Sequence, residues 1–297
     1  MSGQLYIGTA GWSYNDWAGV VYPSPKPRGF DPIVFLGHYF NVLEVNTTFY
    51  RIPDRRMTES WAQRGEHIGD LLYIIKLYQG FTHTRESLNA EEVKAFCDAL
   101  EPIATRGLLG CILIQFPWSF KFTEPNFLWL QSLGREFAAF PLAVEMRHTS
   151  WLVPEYYDFL AARKIAFVNI DQPLFNDSIG MTNLVFGETA YFRFHGRNQA
   201  MWFKEGAGVD ERYNYLYSRE ELGEWVPVVK DSMGKAQRVY AVFNNHFRGK
   251  AVCNALIMKA ELTGERFDLP PQVLAAFPEL KAVSVSVAPG MQRDLFS

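Results

Sequence analysis

Ala190-Tyr191-Phe192-Arg193-Phe194-His195-Gly196-Arg197 is an apolar, aromatic run whose polar residues stand two apart. Side chains alternate along a β-strand, so Arg193 and His195 share one face, with Arg197 just past the glycine, while Phe192 and Phe194 take the other. A charge inside such a strand costs on the order of several kcal/mol unless it is paired or hydrogen-bonded, so it marks either a closed internal network or a site.

The pattern recurs along the chain. Short runs rich in Val, Ile, Tyr and Phe occupy 5–9, 42–48, 73–78, 111–116, 142–147, 166–171, 190–196 and 239–245. Their near-continuous hydrophobicity suits strands buried on both faces, which a parallel sheet requires. Helix starts fall between them: Asp31-Pro32 offers an N-cap followed by proline, Asn89 precedes Glu92 by three, and Ser218-x-x-Glu221 has capping-box spacing. Strands alternating with helices, with no composition break or Gly/Ser linker, predict an α/β protein with a single (β/α)8 TIM barrel over 1–288 and a tail over 289–297. An open doubly wound sheet is the rival. No GxGxxG or GxxxxGK[ST] supports it.

Composition narrows the function classes. The 297 residues are 48% hydrophobic, 21% charged and 15% aromatic, which excludes a disordered chain. A net charge of -3 argues against coating nucleic acid through the overall field, so any anion site must be local. Cys97, Cys111 and Cys253 are too few and too scattered for a disulfide framework or a CxxC zinc site. No run approaches the roughly 18 apolar residues of a membrane span, and the N-terminus has no basic-then-apolar leader. These features read as cytoplasmic, with no membrane partner.

In a barrel the site lies at the C-terminal ends of the strands. Those ends carry Glu44 and Asn46, Lys76, Gln115, Glu145 and Arg147, Asp171, Arg193 and His195, and Asn244 and His246. Glu145 could satisfy Arg147 or Arg193 in a plain structural network. The cations nevertheless exceed what Glu44, Glu145 and Asp171 would neutralise, leaving a cationic pocket suited to a phosphate or carboxylate, since guanidinium groups bind oxyanions bidentately. The expected roles are Glu145 as base or metal ligand, His195 as acid or base, and Arg147, Arg193, Arg197 and Lys76 as anion binders. Asn46, Gln115, Asn244 and Asn245 are the orienting groups, and Glu44 and Asp171 complete the catalytic candidates. His83, His195 and His246 with Glu145 or Asp171 would chemically suit a divalent zinc or manganese, although no HxH or HExxH spacing supports a metal. Glu44 and Glu145 could instead form the carboxylate pair of a carbohydrate-active enzyme. The long loops 10–29 and 197–217 follow the first and seventh strands. Trp12, Tyr14, Trp17, Trp151 and Trp202 on the mouth loops are either rim packing or surfaces for stacking on sugars or bases.

These residues resemble, in order and nearly end to end, the domain-of-unknown-function 72 family, also called YecE-like. The blocks are Gly8-Thr9-Ala10-Gly11-Trp12-Ser13-Tyr14 with Trp17 and Tyr22-Pro23, and Glu44-Val45-Asn46-Thr47-Thr48-Phe49-Tyr50 with Pro53. Thr82-His83, Gln115-Phe116-Pro117 and Glu145-Met146-Arg147-His148 with Ser150-Trp151 follow. Arg193-Phe194-His195-Gly196-Arg197, Tyr215-x-Tyr217-Ser218 and Phe243-Asn244-Asn245-His246 complete the set. The family commonly has Ser where Ala10 stands. The resemblance implies a TIM barrel with the matched residues, Tyr50 and His83 among them, lining its mouth, and an activity unassigned for the family. The barrel is distantly similar to the endonuclease IV and xylose isomerase type, but this chain lacks the histidines and carboxylates of a trinuclear zinc site.

Gln292, Leu295 and Phe296 near the C-terminus resemble the bacterial sliding-clamp-binding peptide. Adjacent apolar anchors can dock in a groove while the glutamine fixes register. Together these readings predict an enzyme acting on a phosphate-bearing substrate, nucleic acid or nucleotide, by hydrolysis or related phosphodiesterase-like chemistry. A non-catalytic nucleic-acid or clamp-associated binding module is the alternative from another class.

Overall fold

The computed structural model describes residues 3–285 apart from positions 205 and 207. The proposed clamp peptide, Gln292, Leu295 and Phe296, and the 289–297 tail lie outside the described residues.

Eight strands alternate with helices: β1 (Gln4–Ala10), β2 (Val42–Val45), β3 (Leu72–Lys76), β4 (Leu109–Gln115), β5 (Leu142–Glu145), β6 (Ala166–Asp171), β7 (Thr189–Phe194) and β8 (Arg238–Phe243). All neighbours are parallel, and β1 pairs with β8 from Gln4↔Arg238 to Thr9↔Phe243, closing the barrel. Closure rules out the open doubly wound sheet. The helix starts use the expected caps. Asp31 accepts from the Ile33 amide at 2.8 Å, Asn89 accepts from the Glu91 amide at 2.8 Å, and Ser218 and Glu221 form a reciprocal capping box. Among the described residues no helix is long and apolar enough to cross a membrane.

Several strands stop sooner than their apolar runs suggest. The run 42–48 ends as a strand at Val45, and Thr47–Tyr50 forms a helical turn. There the Thr48 hydroxyl donates to the carbonyls of Val45 and Lys76, at 3.1 and 2.6 Å, tying the turn across the ends of β2 and β3. β5 ends at Glu145 rather than at Arg147.

The barrel interior is layered. At the bottom, Tyr240 contacts the rings of Tyr6 and Tyr191 at 5.4 and 5.7 Å. Outside the barrel, Phe192 and Phe194 of β7 pack on Trp225 of the helix Arg219–Met233, at 5.9 and 5.4 Å. The two faces of β7 thus divide as alternation requires, with Tyr191, Arg193 and His195 inward. Above the tyrosines the interior becomes charged, and that change of polarity begins the site.

Candidate functional site

Arg193 organises the charged layer. Only 1% of its surface is exposed, and it cannot shed its proton, so folding requires partners for it. Its Nε donates to Glu44 at 2.7 Å, its Nη2 also donates to Glu44, and its Nη1 donates to Glu145 at 2.6 Å. Glu44 accepts again from the Tyr191 hydroxyl at 2.7 Å. Glu145 accepts from Arg147 Nε at 3.0 Å and lies 3.3 Å from His195 Nε2. Burial by itself raises the Glu145 pKa, but Arg193, His195 and Arg147 hold it well below the usual carboxylate range. Burial lowers His195 to about 4 against the pull of Glu145, so the ring is neutral at pH 7. The Asn244 amide, 3.1 Å from Nδ1, fits a tautomer that carries its proton on Nε2 and donates to Glu145.

Above this layer opens a cavity of about 1020 Å³. Its floor and lower walls include Lys76, Gln115, Arg147, Arg193 and Asn244; Arg51, Lys204 and Arg212 also line it. Among the described lining residues there are six cations and no carboxylate, because Glu44 and Glu145 lie beneath, turned to Arg193. Burial, reinforced by Arg193 and opposed by Glu44 and Glu145, lowers Lys76 to about 7. Burial, then Lys76 and Arg147, lowers His83 to about 4.

The walls are aromatic: Trp12, Tyr14, Phe49, Tyr50, Trp61, Trp118, Trp202, Phe203 and Tyr213. Trp202 lies 5.5 Å from the Arg147 guanidinium, and Tyr14 stacks on His246 with centroids 4.4 Å apart. Gly11 lets Tyr14 come so close to the end of β1. Its φ is +81°, and a Cβ there would lie 2.4 Å from the Tyr14 hydroxyl. Among the described residues, Asn46 Oδ1, Trp118 Nε1 and Arg212 Nε are buried in the wall without a hydrogen-bond partner.

Of the predicted site residues, Trp12, Tyr14, Asn46, Tyr50, Lys76, His83, Gln115, Arg147, Arg193, Trp202, Asn244 and His246 line the cavity. Glu44 and Glu145 sit one layer below, and His195, two residues nearer the mouth than Arg193, is buried beside Trp202 and Tyr213, each with ring centroids 6.1 Å away. Five others belong elsewhere. Asp171 faces the helices, accepting from Trp225 Nε1 and the Tyr217 hydroxyl at 2.7 and 2.8 Å and from Arg197. Arg197 is spent on Asp171, Glu221 and Glu224, because the chain turns at Gly196, φ +90°, and the strand's alternation ends there. Asn245, opposite in parity to Asn244, donates to Tyr215 O and Asn254 Oδ1. Trp17 and Trp151 are wholly buried packing residues. Trp17 Nε1 donates to the His246 carbonyl at 2.7 Å and Trp151 Nε1 to the Phe120 carbonyl at 2.6 Å.

Two chemical expectations are corrected with them. Among the described residues no group of three or more His, Cys, Asp or Glu is placed to hold a metal. Asp171 faces away, and His195 is bound to Glu145 and Asn244. Glu44 and Glu145 share one guanidinium and neither lines the cavity, so they cannot flank a glycosidic bond held there. Trp61 and Trp118 are lining residues that the strand pattern missed. Trp61 sits on the helix Arg55–Ile68, where an aromatic residue reads as packing. Phe203, Lys204, Arg212 and Tyr213 fall in the long loop 197–217, whose length was their only signal.

Comparison with known proteins places the chain. The profile described as "Protein of unknown function DUF72" matches residues 6–277. A crystal structure of a DUF72 family protein from Thermotoga maritima MSB8 is 35% identical, covers 87% of this chain and 98% of its own, and superposes with a TM-score of 0.74. One from Enterococcus faecalis V583 is 26% identical, with coverages of 90% and 98% and a TM-score of 0.78. UPF0759 protein YunF of Bacillus subtilis (strain 168) is 29% identical over 287 residues, 92% of this chain and 100% of that protein. With its closed barrel and a family match over nearly its whole length, the chain belongs to the DUF72 family.

Proposed function

We propose that the barrel mouth is an active site for a phosphate-bearing substrate that also carries a flat ring, a nucleotide or a short stretch of nucleic acid. One observation carries this reading: the described cavity lining holds six cations and no carboxylate. Guanidinium groups take oxyanions in bidentate fashion, so Arg147, which gives Nε to Glu145, forms the phosphate seat with Lys76, while Arg193, its Nε, Nη1 and Nη2 engaged by Glu44 and Glu145, supports it from beneath. The aromatic walls supply faces on which a base can stack, worth about 1–3 kcal/mol per base.

The chemistry follows from which groups reach the cavity. Glu44, Glu145 and His195 are positioning residues: they fix the Arg193 guanidinium and orient Asn244. Two of the lining groups suit proton transfer near neutral pH: His83, neutral at pH 7, and Lys76, which titrates near pH 7. His83 is oriented by the Thr82 hydroxyl, 3.0 Å from its Nδ1. Hydrolysis or related phosphoryl chemistry would use these groups to activate water while the arginines stabilise charge on the phosphoryl oxygens. The three cysteines, all unpaired, fit a reducing cytoplasm.

Titration calorimetry with a nucleoside monophosphate and the matching nucleoside tests the reading. The monophosphate binds and the nucleoside binds at least about tenfold more weakly, since a charge-assisted contact contributes about 1.5–3 kcal/mol. Arg147→Met removes most of that difference. Equal binding of the two, or an undiminished difference in Arg147→Met, contradicts it.

A further inference from the structure

We infer that Lys76 is a carbonyl-reactive nucleophile, whose ε-amine, beside Arg147 and Arg193 on the cavity floor, forms an imine with an aldehyde or ketone carried on a phosphate-bearing substrate. The inference rests on the phosphate seat proposed above and adds the substrate's reacting group.

The geometry separates Lys76 from its cationic neighbours. Arg193 has Glu44 and Glu145, and Arg147 has Glu145. Among the described residues, Lys76 Nζ has no carboxylate within ion-pair distance; it lies 4.0 Å from the centroid of the Phe49 ring. Its backbone is fixed all the same, for Lys76 ends β3 and its carbonyl accepts from the Thr48 hydroxyl at 2.6 Å. A half-buried ammonium close to two guanidinium groups is disfavoured relative to the free amine, in keeping with its titration near 7. Among the described lining residues there is no cysteine, and the second lysine, Lys204, is exposed.

A proton carrier lies near it. The Phe49 ring that faces Lys76 also meets His83 edge-on, with centroids 4.8 Å apart. In the reaction the amine lone pair forms the C–N bond as the carbonyl π-bond opens, and one of the nitrogen's two protons passes to the oxygen to give a carbinolamine. The hydroxyl then leaves as water with a second proton, and the nitrogen lone pair closes the C=N bond. One amine and one carbonyl give one imine and one water, with no oxidant or reductant. Neutral His83, which lines the same cavity, is the base available to carry both protons, and the phosphate stays on Arg147.

The test uses the full chain, glycolaldehyde phosphate as probe and cyanoborohydride to reduce any imine to a stable secondary amine, followed by peptide mapping by mass spectrometry. At pH 7 an ordinary lysine has on the order of one neutral amine in a few thousand, whereas one titrating near 7 is about half neutral. Lower basicity also lowers nucleophilicity, so labelling at Lys76 should exceed that at any exposed lysine by about tenfold or more. Excess inorganic phosphate should protect it, and unphosphorylated glycolaldehyde should label it more slowly. Labelling spread over surface lysines without preference for Lys76 overturns the inference, as does equal labelling by glycolaldehyde with no protection. If calorimetry shows the wild-type chain binding inorganic phosphate while Lys76 stays unlabelled, the imine fails and the phosphate seat survives. If Lys76 is labelled but phosphate neither binds nor protects, the seat fails and the substrate class with it. The wild-type peptide map decides without a variant.

Discussion

Replacing Glu145 by Gln removes one negative charge from the layer beneath the cavity while nearly preserving shape. Its carboxylate takes Arg193 Nη1 at 2.6 Å and Arg147 Nε at 3.0 Å, and lies 3.3 Å from His195 Nε2. Breaking a buried pair by neutralising one partner costs about 3–5 kcal/mol, because the opposite charge is left uncompensated. None of these three partners offers relief: the arginines cannot deprotonate, and His195 is already neutral at pH 7. Lys76 can, since Glu145 helps to hold its proton and losing that help lets the amine release it. That relief points to the lower end, about 3 kcal/mol. The assay is reversible denaturant unfolding at pH 7, with Glu101→Gln as control. Glu101 pairs with Arg55 on the surface, where both are more than half exposed, and its loss should cost no more than about 1 kcal/mol. The less negative layer should also make Glu145→Gln bind inorganic phosphate more tightly than wild type. A Glu145→Gln protein as stable as the control, to within about 1 kcal/mol, would refute the reasoning.

Lys76→Met should stabilise the fold, most strongly at low pH. The amine titrates near 7 in the folded chain against about 10.4 unfolded, so between those values the unfolded state holds more protons and wild-type stability rises with pH. The gain of Lys76→Met is therefore largest at and below pH 7 and shrinks towards pH 10; parallel melting-temperature profiles from pH 6 to 10 would contradict it. Asp171→Asn breaks the network with Arg197, Tyr217 and Trp225 and should cost about 3 kcal/mol in denaturant unfolding with phosphate affinity unchanged. A tenfold loss of affinity at unchanged stability would return Asp171 to the site. Removal of the residues after Gly290 should abolish pull-down of a bacterial sliding clamp, if Gln292, Leu295 and Phe296 form the docking peptide, and leave phosphate binding intact; clamp capture by the truncated chain refutes the peptide.

Strand parity made much of this legible before any coordinates. Glu44, Glu145, Arg193 and His195 share the inner face because a parallel barrel has only two faces for a strand to offer, and Lys76, Gln115 and Asn244 follow the same count. Parity does not carry past the end of a strand, and it places Asp171 on the opposite face from the site. Asn169 and Asp171 both point away from the barrel axis, Asn169 Nδ2 donating to the Leu184 carbonyl in the loop outside, so two-residue counting from Asn169 would have put Asp171 on the helix side. Arg197 lies past a glycine with positive φ, and no periodicity crosses such a turn. Height within the barrel was also hidden. Strands in a barrel are staggered, so Glu145 at the last position of β5 lies beneath the cavity while Lys76 at the last position of β3 touches it. Aromatic residues carried the least information: Trp17, Trp151 and Trp61 look alike in a sequence, yet two are packing and one faces the cavity.

The central claim is that the carboxylates neutralise Arg193 from below and leave the upper face of the cluster open to an anion. A crystal structure of the protein soaked with pyrophosphate tests it most directly. The expected result is a phosphoryl group within hydrogen-bond distance of Arg147 and Lys76, with Glu44 and Glu145 still on the guanidinium of Arg193. Pyrophosphate bound only at the protein surface, with the cavity floor untouched at saturating concentration, would contradict it.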